Sequence, residues 1–327
     1  MQLGVGLSSE ELSPMSIVRT AALAEEVGFR AAWISDHFHP WIDAQGESPF
    51  VWSVLGGVAR ATDRIRVGTG VTCPIMRMHP AVIAQAAATT QCLFDGRFWL
   101  GVGTGEALNE HVVGEKWPEA SVRLAMLAEA CEVIRTLWTG RQVSHHGEYF
   151  NVESARLYTL PETSPLIFMS ALGRKSAELA GQIGDGLVST RPSRNLVDWY
   201  TASGGRGPRL AQVKVAWAAN VADAEDLAFA RWPTAGLEGE LSQDLPTPRH
   251  FEDAVAALRR SDVVDKIACG PDAGKHLDAI RQFADAGFDE IYVTQIGPDQ
   301  EGFLRFYEHE VLPEIRNASW NIGIDST

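Results

Sequence analysis

Four side chains able to do chemistry crowd into seven residues, Ser35-Asp36-His37-Phe38-His39-Pro40-Trp41. A neutral imidazole can take a proton near neutral pH, and a carboxylate beside it can fix its tautomer, so Asp36 and His37 have the makings of a general base. Ordinary turn chemistry draws on Gly, Asn or Pro and gains nothing from two histidines and an indole. Two other readings stay open: a capped strand end with a satisfied Asp–His pair, and a metal site. For a metal, His37 and His39 would point to opposite faces of extended chain, and no third ligand is evident. His145-His146 falls in a surface hairpin, and no GxSxG elbow marks a serine nucleophile.

The apolar run Ala31–Ile34 before this segment reads as a short buried strand. It is one of eight. The others are Gln2–Leu7, Ile65–Val71, Phe98–Val102, Leu166–Ser170, Gly186–Ser189, Val213–Trp217 and Glu290–Thr294. Helical spacing of apolar residues intervenes at 14–27, 51–58, 81–93, 120–138, 174–183, 275–286 and 303–315. Ser13-Pro14 supplies an N-cap and a first-turn proline. A hairpin insertion is expected at about 141–165 and a helical insertion at about 223–265. Alternation of this kind implies a parallel sheet, and eight units in 327 residues favour an α/β fold of the closed (β/α)8 TIM-barrel type over an open doubly wound sheet, as a single domain spanning 1–327. An open sheet would more often carry a Gly-rich dinucleotide fingerprint after its first strand. Here Leu7-Ser8-Ser9-Glu10 follows instead.

In a barrel, the segments after the strands share one face. That brings together Glu10, then Asp36, His37 and Trp41, then Thr72 and Cys73, then Thr104, Gly105, Glu106 and Asn109. Gly173, Arg174 and Lys175 follow the fifth strand, and Arg191 the sixth. Gly101-Val102-Gly103-Thr104-Gly105 implies close backbone approach, either to a ligand or merely through a tight turn. Gly173-Arg174-Lys175 opens a helix, whose free N–H groups and two cations make an anion site, or else a solvated first turn.

Composition excludes several classes. Lys plus Arg number 28 against 42 Asp plus Glu, a formal charge of −14, which disfavours nucleic acid and anionic membranes as partners. No signal-peptide pattern opens the chain, and no apolar run approaches the length of a membrane span. Cys73, Cys92, Cys131 and Cys269 are scattered without a CxxC pair, which points to a reducing cytoplasm and no metal site built on cysteine.

Ser35–Trp41, Gly68-Thr69-Gly70-Val71-Thr72-Cys73-Pro74, Pro80–Gln85 and Gly101–Glu110 together resemble the luciferase-like flavin and deazaflavin oxidoreductases. The most similar branch is the F420-dependent glucose-6-phosphate dehydrogenase family. The resemblance covers nearly the whole chain and implies coenzyme F420, an 8-hydroxy-5-deazaflavin, as cofactor. It implies that Asp36 contacts the ring and that Gly70–Val71 is a non-proline cis peptide behind it. Thr72, Cys73, Thr104, Gly105 and Asn109 would line the pocket, and Gly173, Arg174 and Lys175 would hold the cofactor phosphate. His37 would be the general base for a substrate alcohol, Glu106 the acid at the ring, and Trp41 and Glu10 would shape and polarise the substrate end. A homodimer is also implied. The chain departs where family members that use sugar phosphates carry lysines: Thr190-Arg191-Pro192-Ser193-Arg194 replaces the expected Ser-Gly-Lys, and Asp253 stands where a second lysine is expected. Lys275 matches a third cationic position, and Arg191 or Arg194 could compensate for the lost lysine. Three functions therefore follow as expectations: an F420-dependent alcohol dehydrogenase, a reductase working from reduced F420 on a carbonyl, imine or activated alkene, and an FMN-dependent monooxygenase or a cofactor-binding protein without turnover.

Overall fold

The computed structural model describes residues 1–237, 239 and 241–317. Eight parallel strands close into a barrel: β1 (Gln2–Leu7), β2 (Ala31–Ile34), β3 (Arg66–Thr69), β4 (Phe98–Val102), β7 (Leu166–Ser170), β8 (Gly186–Ser189), β9 (Arg209–Ala216) and β11 (Glu290–Gln295). Closure runs through two pairings, Leu187–Ser189 of β8 against Arg209–Ala211 of β9, and Gln2–Gly6 of β1 against Glu290–Thr294 of β11. A short strand β10 (Ala268–Cys269) adds to the outer end of β9. Between β4 and β7 an antiparallel hairpin of β5 (Val143–His146) and β6 (Asn151–Ala155) lies outside the barrel.

The intervening helices are α1 (Pro14–Val27), α2 (Val51–Ala61), α3 (Pro80–Leu93), the single turn α4 (Ala107–Glu110), α5 (Ala120–Leu137), α6 (Arg174–Ile183) and α7 (Arg194–Ala202). After β9 come α8 (Val221–Arg231) and three short helices, α9 (Leu241–Asp244), α10 (Pro248–Val255) and α11 (Arg260–Val264), then α12 (Ala273–Asp285) and, past β11, α13 (Gln300–Phe306) and α14 (Leu312–Asn317). Helix α1 starts as its sequence requires, with the Ser13 side chain accepting from the Ser16 N–H and Pro14 at the first position. It stops at Gly28, whose φ of 108° lets its N–H turn back onto the last carbonyls.

Strand alternation divides the apolar residues into two layers. Outward positions such as Leu3, Val5, Val67, Leu100 and Val213 pack beneath the helices. Inward positions form a separate cluster of Ala31, Trp33, Trp99, Phe168, Val188, Leu210 and Tyr292. Trp33 stacks on Tyr292 with ring centroids 4.7 Å apart and planes within 5°. Glycines make room for these rings. A Cβ at Gly68 would come within 2.0 Å of the Trp99 indole, and one at Gly70 within 2.7 Å of Trp33. The barrel interior is thus a packed floor of aromatic rings, and the site must lie above it, where the strands end.

The eight strands expected from sequence are the eight of the barrel. Three details differ. The third strand spans Arg66–Thr69 rather than Ile65–Val71, the seventh begins at Arg209 rather than Val213, and Arg194–Ala202 is a helix that the sequence reading does not assign. Its apolar residues Leu196, Val197 and Tyr200 are buried, but the flanking Pro192, Gly204 and Gly205 make so short a periodic stretch look like loop.

Candidate active site

Two cavities open above the aromatic floor, of about 270 Å³ and about 330 Å³. They share Val71, Glu106, Ser170, Leu172, Ser242 and Gln243 as walls and so form one groove. The inner half is walled by Glu10, His37 and Trp41 from the segments after β1 and β2. The outer half ends on Gly173, Arg174 and Lys175 at the start of α6.

Glu10 and His37 meet in the inner half, with Glu10 Oε1 3.5 Å from His37 Nε2. The other carboxylate oxygen of Glu10 accepts from the Ser8 hydroxyl at 2.9 Å and from the Ser35 hydroxyl. Burial pushes the Glu10 carboxyl up, but the charge of His37, the Ser35 hydrogen bond and the more distant Lys214 ammonium outweigh it and hold the group below its usual value. Trp41 closes one side, its ring centroid 5.1 Å from that of His37, and is itself braced edge-on by Phe251 of α10.

Asn109, on α4, joins the segments after β2 and β4. Its Oδ1 accepts the Phe38 and His39 N–H groups at 2.8 and 3.2 Å, which fixes which way the amide faces. Its Nδ2 then lies 3.1 Å from His37 Nδ1 and donates to Glu106 Oε2 at 3.3 Å. His37 Nδ1 also lies 3.1 Å from the His39 carbonyl. A proton on Nδ1 is donated to that carbonyl and leaves Nε2 free as a base toward the groove. Without it, Nδ1 accepts from Asn109.

Asp36 does not wall the groove. Its buried carboxylate accepts from the Thr72 hydroxyl and from Arg77, both at 2.8 Å. Arg77 also bonds Glu110, donating its backbone N–H to Oε2 at 2.8 Å. Burial pushes the Glu110 carboxyl up; the Arg77 N–H and charge oppose this, while Glu106 and Asp36 add to it, leaving the group at about 7. Cys73 is buried beneath Gly105, where a Cβ would come within 2.5 Å of its sulfur. Burial holds its thiol well above the usual range, so it is no nucleophile.

The Gly70–Val71 peptide is cis, with both residues on the wall of the inner cavity. Thr104 and Gly105 line the outer half. At Gly173 a Cβ would project into open space, so the backbone stands bare at the end of the groove. Arg174 is exposed and pairs with Glu178. Arg191 borders the outer half and donates to the Leu172 carbonyl at 3.2 Å. Lys275 lines a third cavity with Arg191, Lys214 and Lys266, which adjoins the inner half through Thr190, Gln212 and Lys214. Arg194 sits on α7 against Asp198 and walls none of these cavities. Among the described residues no cluster of three potential metal ligands occurs.

The sequence reading missed Lys214. It lies within the run Val213-Lys214-Val215, which looks like a buried strand with one solvated charge. In the barrel, alternate residues of β9 point inward, so Gln212 and Lys214 face the groove. Arg77 was also missed, because its segment carries no motif beyond one basic residue before a helix.

Known proteins resemble this chain over nearly its full length. Residues 1–290 match the family model described as luciferase-like monooxygenase. The F420-dependent glucose-6-phosphate dehydrogenase of Nocardia farcinica is 35% identical, over 97% of this chain and 98% of the relative. The F420-dependent hydroxymycolic acid dehydrogenase of Mycobacterium tuberculosis is 38% identical, over 96% and 88%. Among solved structures, an F420-dependent secondary alcohol dehydrogenase in complex with an F420–acetone adduct superposes with a TM-score of 0.87 at 28% identity, covering 95% of this chain and 98% of that one.

Proposed function

The chain belongs to the luciferase-like monooxygenase family, and from that premise we propose that it is an F420-dependent oxidoreductase that oxidises an alcohol carbon. One observation carries the choice of alcohol oxidation: a buried imidazole, His37, faces the groove beside the Glu10 carboxylate at 3.5 Å. The names of its relatives support the coenzyme.

The groove suits such a coenzyme. Bare backbone at Gly173, with Arg174, Lys175 and the first N–H groups of α6 around it, would take its phosphate. Val71, Thr104 and Gly105 would flank its ring. When bound, the deazaflavin supplies a ring carbon that accepts a hydride. The protein's own part is proton handling and orientation. His37 Nε2 takes the proton from the substrate hydroxyl, with Nδ1–H held by the His39 carbonyl. The Glu10 carboxylate stabilises the resulting imidazolium. Glu106, on the wall shared by both halves of the groove, handles the proton at the ring. Trp41 excludes water from the reacting carbon. Asp36 acts at one remove, by holding Thr72 and Arg77.

The reading extends to a homodimer, which the family resemblance supports, and to the cytoplasm, which four free cysteines support. No described helix is long and apolar enough to cross a membrane.

The test is a titration of purified protein with oxidised coenzyme F420 and, in parallel, FMN, followed by a screen of alcohols, sugars and sugar phosphates for loss of deazaflavin absorbance. Binding of F420 with bleaching by an alcohol is the expected result. Binding without bleaching would favour the reductase, and binding of FMN alone would overturn the assignment.

A further inference from the structure

Among the described residues, Lys214 is the one lysine or arginine on the wall of the inner half of the groove. It shares that cavity with Glu10 and His37, the pair placed at the reacting carbon. Its ammonium sits over the face of the Trp232 ring, 4.2 Å from the centroid, a cation–π contact that holds it from one side. Trp232 is fixed in turn, donating its indole N–H to Glu11. The ammonium makes no hydrogen bond or ion pair among the described residues, although Glu10 and Glu11 are near enough to act on it through space. Burial lowers its pKa by more than those two carboxylates raise it, so the protein supplies less negative charge than the ammonium calls for.

A held cation that opens on a reaction cavity and has no acceptor lacks one partner, an oxygen brought by the substrate. Charge selects which. In the inner half Glu10 and Glu106 stand beside the one ammonium, so a singly charged carboxylate is repelled less there than a phosphate dianion. The further cations Arg191, Lys266 and Lys275 stand on the adjoining cavity that Lys214 also borders, and the phosphate arm of the test measures their pull. Building on the dehydrogenase reading above, we propose that Lys214 is the specificity-determining residue of this site and binds a substrate carboxylate, so that the preferred alcohols are hydroxy acids.

The site is tested on the full chain, with and without coenzyme F420, as wild type, Lys214→Met and Lys214→Arg. Methionine keeps the length and the packing on Trp232 but removes the charge. Butyrate binding is read by calorimetry, and KM and kcat are compared for 3-hydroxybutyrate, 2-butanol and glycerol 1-phosphate. The expected results are butyrate binding weakened roughly tenfold or more in Lys214→Met, and a KM ratio of 3-hydroxybutyrate to 2-butanol that rises by a similar factor, with Lys214→Arg between. Unchanged butyrate affinity in Lys214→Met overturns the proposal. So does a fall in kcat equal for both alcohols, which would mean that Lys214 acts through Glu10. A stronger Lys214 dependence with glycerol 1-phosphate overturns the carboxylate assignment. If wild type oxidises no alcohol yet binds butyrate through Lys214, the dehydrogenase reading fails and the carboxylate site stands.

Discussion

At the scale of single residues, the proposed function gives separate work to His37 and Asn109. His37→Ala is expected to lower kcat by about 10²- to 10⁴-fold, the range of a positioned general base, with coenzyme affinity retained. Stopped-flow turnover beside fluorescence titration separates the two effects, and undiminished alcohol oxidation would remove the role given to His37. Asn109 is expected on the coenzyme from sequence, and its amide also bridges His37 Nδ1 and Glu106 Oε2. Asn109→Ala leaves the Phe38 and His39 N–H groups without their acceptor, so a stability loss of about 1–3 kcal/mol is expected. It is also expected to lower kcat more than coenzyme affinity. The reverse order would return Asn109 to the coenzyme. The Asp-His-x-x-Pro-Trp stretch was legible in sequence because such residue types have no business in a turn. The partners of Asp36 were not, because Arg77 lies 41 positions along the chain, and only the adjacency of two strand ends brings it near.

At the scale of elements, the N-terminus of α6 carries the prediction for the coenzyme. Arg174→Glu places an anion beside the first-turn N–H groups and is expected to weaken F420 binding without altering the melting temperature, since Arg174 is exposed. Equal affinity for variant and wild type would move the phosphate elsewhere. The start of α6 could be read from sequence because Gly-Arg-Lys after a strand is a local signal. Lys214 could not, because β9 shows only that Gln212 and Lys214 alternate with apolar neighbours. Whether such residues face water or the barrel interior is decided by closure against β8 and β11. The same applies to Arg194, a cation close in sequence to the site but carried by α7 to the Asp198 side.

For the whole molecule, two buried features govern stability. The first is the floor of rings. Gly68→Ala would set a methyl group 2.0 Å from Trp99, and overpacking of this kind typically costs about 1–3 kcal/mol. Urea unfolding should show it, and a neutral result would mean that Trp99 can move aside. The second is Glu110. Its carboxyl titrates at about 7 in the folded chain, against an ordinary value of 4.5. An acid whose folded pKa is raised weakens the fold as pH climbs. The cost is absent below about 4.5, grows between 4.5 and 7, and is complete above, on the order of 3 kcal/mol for a shift this large. Glu110→Gln is therefore expected to gain stability relative to wild type between about pH 5 and pH 8, as followed by thermal unfolding across that range. An unchanged difference across those pH values would show that Arg77 keeps Glu110 ionised. The barrel itself was legible because eight apolar strands alternate with helices. The gathering of rings inside it was not, because Gly and Trp take complementary positions only once strands about 30 residues apart become neighbours.

The order of the strands has one more consequence. Glu10, His37, Trp41, Glu106 and Asn109 all follow the first four barrel strands, whereas Gly173, Arg174, Arg191 and Lys214 belong to the last four. On the proposed function, proton handling thus falls to the first half of the polypeptide, and the contacts to the coenzyme phosphate and the substrate anion fall to the second. A chimera that joins this chain's first half to the second half of a relative should keep the proton chemistry and acquire the relative's choice of substrate, so the two properties can diverge independently by mutation or by recombination.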